Sequence, residues 1–358
     1  QLSEQGWSAM PGAQIAPGTG ERDSWDELII RPRLLSALRR LNPDVPGQYL
    51  QQALAEIVAP TSQDAIAENH RIHRMMTDGY RMTYLDADGE EHTPTIRIIG
   101  AEESDNEYIA VNQVTIVKGD FKRRLDVVLY CNGMPVSIME LKQAGAAQAD
   151  IAAAHAQLQT YLREFPLAFR FCVFTFISDG IEAQYGTPFT PLNHFSPWNV
   201  DDDGAPVAFG DTVDGQAVLP IDTAISGLYN PTRFLQLLYS FTAFDSGAEG
   251  YSKRIAKPHQ YFAVSKAVGS TIEAVRSNGK AGVVWHTQGS GKSMEMELYT
   301  AAVMRHPVLK NPTIIVITDR TELDGQLYSS FARSDLLPDS PQQVATRADL
   351  RAELSSRG

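Results

Sequence analysis

Leu125-Asp126-Val127-Val128-Leu129-Tyr130, then Cys131-Asn132-Gly133-Met134, then Pro135-Val136-Ser137-Ile138-Met139-Glu140-Leu141-Lys142 is the stretch that decides the fold. Two apolar runs of strand length flank an Asn-Gly pair, the strongest short-range signal for a β-hairpin. Asp126 stands at the start of one strand, and Glu140 and Lys142 stand two residues apart on the other. Residues i and i+2 of a strand share a face, so all three side chains can converge on one side of a sheet. The chemistry of such a cluster is that of a hard cation. Mg²⁺ takes a few carboxylates and keeps several waters, so two acids and a backbone carbonyl such as that of Leu141 can hold it against a phosphodiester. A lysine ammonium beside the ion can orient or help deprotonate the attacking water and offset phosphate charge.

An acid-x-Lys triplet alone carries little weight, and Asp120-Phe121-Lys122 is another, set in a polar turn after Gly119. An edge strand bearing a solvated Glu140–Lys142 ion pair accounts for the same spacing. The second triplet differs in ending an apolar strand and in having an upstream acid on the paired strand. After it comes an alanine-rich segment, Ala144 to Phe165, in which Ile151, Ala154, Leu158 and Tyr161 recur at helical spacing. Gln157 and Tyr161, at i and i+4, share one face of that helix.

Asp126, Glu140-Leu141-Lys142 and Gln157-Leu-Gln-Thr-Tyr161 together resemble the nuclease domain of the restriction (motor) subunit of type I restriction-modification enzymes. Asn132-Gly133-Met134-Pro135 before the Glu-x-Lys triplet is similar to the same family, as are Ser178-Asp179-Gly180 and Trp198. Leu125 departs from the wider nuclease superfamily, which often has proline there. The resemblance implies an α/β, restriction-endonuclease-like (PD-(D/E)xK) domain over about residues 1–220. It also implies metal ligation by Asp126 and Glu140, a water-assisting Lys142, and a role for Gln157 and Tyr161 in DNA engagement or catalysis. A third ligand on the first helix would be Glu27, although an acid there equally suits a helix dipole.

Length and composition set bounds on this reading. The 358 residues suffice for two domains, and 43% hydrophobic with 21% charged content is that of a globular chain. No apolar run approaches the roughly 18 residues of a membrane span. A formal charge of −12 argues against nucleic-acid binding by bulk electrostatics but allows local basic clusters. Lys118, Lys122, Arg123 and Arg124 form the only dense one in the first half, either a solvated turn or a grip on phosphate beside Asp126. Cys131 and Cys172, each in or beside an apolar run, read as buried thiols of a reduced, cytoplasmic compartment. With Gln1 first, the chain reads as a piece of a longer one.

Taken in order, residues 1–22 read as a loosely ordered lead-in, and 25–41 as an amphipathic helix with Pro32 near its start. Helices are expected over 47–59 and 65–76, a hairpin over 80–99 around Asp86-Ala-Asp-Gly89, and a strand over 108–117. Residues 169–177 read as a doubly buried strand with a partner over 181–186, and 187–220 as a surface excursion or lid. Residues 221–250 are expected to be a helical linker between two domains.

A second motif lies downstream. Residues 282–285 read as a strand, His286 to Gly291 as a small-residue loop, and Lys292 to Met304 as a helix, which is the P-loop arrangement. Backbone N–H groups around Gly289, Ser290 and Gly291 would bind phosphate, Lys292 would reach the β- and γ-phosphates, and Ser293 would hold Mg²⁺. His286 departs from the general pattern's glycine, yet His286-Thr-Gln-Gly-Ser-Gly-Lys-Ser293 is similar to the form found in type I motor subunits. By the same resemblance Gln260 would read adenine, and Asp319 to Gln326, after an expected strand at 313–318, would contact the DNA backbone. The implied whole is a Mg²⁺-dependent endonuclease joined to the first part (251–358) of a RecA-like, ATP-driven translocase of double-stranded DNA. It would partner with methylation and specificity subunits and cleave remotely from the recognition site. No Asp-Glu pair of the Walker B kind can be assigned, so neither translocation nor more than weak ATP binding is expected of this chain. A nuclease-helicase of DNA repair or another defence system, or a non-catalytic docking module, are the alternatives.

Overall fold

The structure, a computed structural model, describes residues 1–143, 150–208, 210, 212–213, 216–248, 250–310, 312–319, 321–337 and 340–356. The chain divides into two units, residues 1–242 with 252–258, and residues 243–251 with 259–358.

The first unit is built on a mixed six-stranded sheet: β1 (Ser8–Pro11), β2 (Tyr108–Lys118), β3 (Phe121–Cys131), β4 (Met134–Leu141), β5 (Phe174–Ser178) and β6 (Ala183–Gly186), in that spatial order. β1 runs parallel to β2 and β4 parallel to β5, while the other neighbours are antiparallel. The Asn-Gly turn joins β3 to β4, with Cys131 opposite Met134 and left-handed φ of 51° at Asn132 and 79° at Gly133. Two successive positive φ values match the twist of the flanking strands, which is why Asn-Gly serves there. The turn is buried. The Asn132 side chain donates to the Ile98 carbonyl and accepts from the Glu107 N–H, and Ile30 N–H donates to the Gly133 carbonyl.

Helix α4 (Ile151–Glu164), capped by Asp150 on the Ala153 N–H, covers one face of the sheet. Its Ile151, Ala154, Leu158 and Tyr161 share a core with Val128, Tyr130, Ile138 and Ile177. Side chains alternate along a strand. Ser137, Phe174 and Phe176 therefore point the other way, toward α5 (Pro220–Tyr229) and α6 (Pro231–Ser240). There Tyr229 lies 5.3 Å from Phe174, ring centre to ring centre, and its hydroxyl 2.9 Å from Ser137 Oγ. Both faces of the central strands are thus dry, in a helix–sheet–helix layering. Helices α1 (Arg31–Leu41), α2 (Gly47–Val58) and α3 (Ala65–Asp78) complete the unit, with a short two-part ribbon pairing 80–81 with 95–96 and 84–85 with 91–92.

Four expectations for this unit need correction. Residues 1–22 are no loose lead-in: Trp7 is 1% exposed, Ile15 is fully buried, and β1 adds an edge strand to the sheet. The first helix begins at Arg31, because Leu28, Ile29 and Ile30 are used as buried extended chain before Pro32 fixes the first turn. The buried run from Phe169 is strand only from Phe174, after a 3-10 turn over Pro166–Phe169. The stretch taken as a helical linker is largely α5 and α6, whose apolar faces cover the sheet. The start of α4 expected at 144–149 lies outside the described residues. Cys131 and Cys172 are buried free thiols, as expected.

The second unit contains most of α7 (Pro258–Val275), and α8 (Lys292–Arg305), α9 (Thr321–Arg333) and α10 (Arg347–Ser356). Neither 282–285 nor 313–318 forms the expected strand. A parallel strand exists only where neighbours hydrogen-bond to it. Among the described residues neither segment is a strand, and Val283 and Ile317 are 93% and 88% exposed. No helix among the described residues is long and apolar enough to cross a membrane.

Candidate functional site

Asp126 in β3 and Glu140 at the end of β4 reach the same side of the sheet, under α4. The Asp126 carboxylate is oriented by the backbone, its Oδ2 accepting the Leu141 N–H at 2.9 Å. Its Oδ1 lies 3.5 Å from the Gln113 amide nitrogen on β2. Glu140 is 3% exposed. Its Oε1 accepts from Lys142 Nζ at 2.6 Å, whereas its Oε2 is buried and met by no donor in hydrogen-bonding geometry. The Lys142 backbone is pinned in turn, its N–H donating to the Ser178 carbonyl at 2.7 Å. Burial raises the Glu140 carboxyl above the usual range, Lys142 pulls it down, and the charge of Asp126 raises it further. Tyr161 of α4 stands beside Glu140. Burial first, and then that carboxylate, push its phenol well up, against a hydrogen bond with Gln157. The five residues singled out in the sequence therefore gather at one place.

The donor set suits a hard divalent cation. Two carboxylates converge, and the burial of Glu140 sets a desolvation cost that a cation would offset. Glu27 is not part of this cluster. It lies in extended chain before α1, paired with Arg31 at 2.8 Å and 3.8 Å from Arg170. The basic cluster is divided as well: Arg123 is bound to Glu164 of α4 at 2.6 Å, while Lys122 and Arg124 are exposed on β3.

In the second unit, Gly291 caps α8 with a left-handed φ of 87°, and Lys292 and Ser293 are the first two residues of the helix. Lys292 Nζ donates to the loop's own carbonyls, His286 at 2.9 Å and Thr287 at 2.7 Å. Gln260 is 3% exposed, and its amide nitrogen lies 3.3 Å from both the Ser290 and Gly291 carbonyls. The loop thus closes on the groups proposed to bind nucleotide. Sequence reasoning missed the brace behind it, where His286 Nδ1 meets the buried Glu295 at 2.7 Å and His259 Nε2 meets the Ser290 carbonyl at 2.9 Å. The one signal was the histidine standing where glycine is general. Asp319 and the helix from Thr321 follow the unformed strand, and Arg320 lies outside the described residues.

Comparison with known proteins agrees with both halves. The profile of the type I restriction enzyme R protein N terminus matches residues 1–194, and that of the SWI2/SNF2 ATPase matches residues 259–358. The type I restriction enzyme HindI endonuclease subunit of Haemophilus influenzae is 33% identical over 99% of this chain, which covers 34% of that protein. The MjaIXP endonuclease subunit of Methanocaldococcus jannaschii is 28% identical over 99% of the chain, again 34% of its own length. The chain thus spans about a third of the length of these relatives. With more than half of its residues matched by the first profile, the chain belongs to the family of type I restriction enzyme R proteins, as a portion from their N-terminal part.

Proposed function

We propose that the first unit is a Mg²⁺-dependent DNA endonuclease of the restriction-endonuclease-like (PD-(D/E)xK) fold. The observation that carries this is the convergence of a backbone-oriented Asp126 and a buried Glu140 beside Lys142. Asp126 and Glu140 would hold the ion, which when bound would supply positive charge against the scissile phosphate and a site for the attacking water. Lys142, whose Nζ donates to Glu140, would guide that water and hold or release a proton at Nζ. Leu141 N–H fixes Asp126, so the acid keeps its orientation while charge builds on the phosphate. Tyr161 and Gln157 close the α4 side of the cluster, where they would engage the DNA backbone or support Glu140.

The second unit is proposed to carry the first part of an ATP-driven motor, with Gly289, Ser290, Gly291 and Lys292 for the phosphates, Ser293 for its Mg²⁺ and Gln260 for the base. On this reading the first unit, residues 1–242 with 252–258, is the nuclease domain, and the second unit opens the motor. The whole protein would act in the cytoplasm with methylation and specificity subunits, translocating double-stranded DNA and cutting it away from the recognition site.

Supercoiled-plasmid nicking by this chain with Mg²⁺ or Mn²⁺ tests the first part, beside Asp126→Ala and Lys142→Ala. Nicking by the wild type that both substitutions abolish is the expected outcome. Nicking that survives both would sink the assignment. If even the complete assembly with its partners cleaves no DNA, the unit is a docking module instead.

A further inference from the structure

Gln113 sits directly across from Asp126, and the sheet is irregular at that one step. On either side the β2–β3 register is continuous, Asn112 opposite Val127 and Val114 opposite Leu125, but Gln113 and Asp126 form no ladder pair. No residue is inserted. Instead Gln113 adopts a left-handed φ of 54° in the interior of a strand, where a side chain with a Cβ is strained. The strain is held from the sheet edge. Gly12, just past β1, closes so tightly on this backbone that a Cβ on it would run into the Gln113 carbonyl oxygen and come 2.8 Å from that of Asn112. Only glycine permits the approach.

The consequence is the direction of the side chain. Gln113 is exposed, so packing does not require its conformation. Its turned backbone carries the amide to 3.5 Å from Asp126 Oδ1, the oxygen that the Leu141 N–H does not hold. Both oxygens of Asp126 are thereby addressed from different strands, one by backbone and one by Gln113. A carboxamide offers a donor or an acceptor by rotating about its last bond, so it can steer the carboxylate with or without a cation on it.

We propose that Gln113 is a positioning residue of the metal site, holding Asp126 Oδ1 in the orientation that a divalent cation uses. This rests on the reading of Asp126 and Glu140 as metal ligands. Partners that orient a ligating carboxylate typically contribute about 10- to 100-fold to metal affinity.

The test is Mn²⁺ binding, followed by calorimetry or by the EPR signal of the free ion, together with melting temperature, for wild type, Asp126→Ala and Gln113→Gly. Glycine keeps the left-handed backbone without strain and removes the whole side chain, amide included, so this variant separates side chain from backbone. The expected result is binding by the wild type, none by Asp126→Ala, and about tenfold weaker binding by Gln113→Gly with an undiminished melting temperature. Wild-type affinity in Gln113→Gly overturns the proposal, because the turned backbone would then serve only the Gly12 contact. A lower melting temperature in that variant overturns it too, since the side chain would then be a stabiliser of the strand. No Mn²⁺ binding by the wild type, or equal binding by Asp126→Ala, fails the metal-site reading itself, and is distinguishable from the other two.

Discussion

Glu140 is held in an environment that disfavours its own charge. Burial raises its carboxyl most, Lys142 pulls it down, Asp126 raises it further and Tyr161 pulls it down, with a net upward direction. A carboxyl raised in the folded state contributes stability that is present below its unfolded range and lost as pH rises through the folded value. Glu140→Gln, which removes the charge and leaves a 24%-exposed Lys142 to water, should therefore gain on the metal-free wild type as pH rises above the ordinary carboxyl range, read by melting temperature. Added Mn²⁺ should raise the melting temperature of the wild type alone. Lys253 gives the opposite case. Burial lowers its ammonium to about 7, while Nζ donates to Asn69 Oδ1 and the Cys172 carbonyl, each at 2.8 Å. Between about pH 7 and its ordinary range near 10.5, the unfolded chain binds the proton and the fold does not. Wild-type stability relative to Lys253→Met should thus climb over that window in melts run at pH 6 and pH 9.5; a flat difference would contradict the buried-cation account. Glu140 and Lys142 were legible at this scale because period-two spacing puts them on one face, whereas Asp126 joins them through a β3–β4 register that shifts between Leu129 and Tyr130. Gln113 was not, since nothing in Val-Asn-Gln-Val announces a left-handed backbone. Glu27 could not be placed from sequence, because an acid before a helix looks the same whether it faces a metal or, as here, Arg31 and Arg170.

Among the elements, the β3–β4 hairpin was the most legible and is the most tightly determined. Gly133 has a φ of 79°, and a Cβ there would run into the Ile30 carbonyl oxygen and lie 3.0 Å from the Leu34 backbone nitrogen. Backbone atoms cannot give as a flexible side chain can. Gly133→Ala should lose about 2–4 kcal/mol from left-handed strain and overpacking together, read by urea denaturation. A loss under about 1 kcal/mol would mean that the turn relaxes freely. The edge strand β1 was hidden because its register comes from contacts far along the chain, Ser8 with Ile109 through Pro11 with Asn112, and four residues carry no alternating pattern. The same holds for α5 and α6. Their amphipathic pattern was plain, but an apolar helix face does not say which sheet it will cover.

The two halves of the chain differ in how far local sequence can specify their parts. In the first unit every central strand has neighbours on both sides, and Trp7, Phe174, Tyr185 and Tyr229 fill the space behind them with 2% exposure or less. In the second, helix α8 and the loop before it form from short-range information: a left-handed glycine, the helix N-terminus and Lys292 on two loop carbonyls. The strands that should flank it do not, because a parallel pair depends on partners distant in sequence. Phosphate binding at a P-loop relies on N–H groups held by that sheet. Here the Lys292 ammonium would first have to leave His286 and Thr287, and the Gln260 amide the Ser290 and Gly291 carbonyls. Nucleotide affinity should therefore be weak, with a Kd in the range of about 1 mM, or roughly 4 kcal/mol of binding free energy. Lys292→Ala should change plasmid nicking little, because the residues proposed for cleavage lie in the other unit. ATP turnover by this chain should not rise when linear double-stranded DNA is added, in an assay that follows phosphate release. DNA-stimulated turnover abolished by Lys292→Ala would overturn this, and would mean that DNA itself orders residues 282–285 and 313–318 into a working sheet.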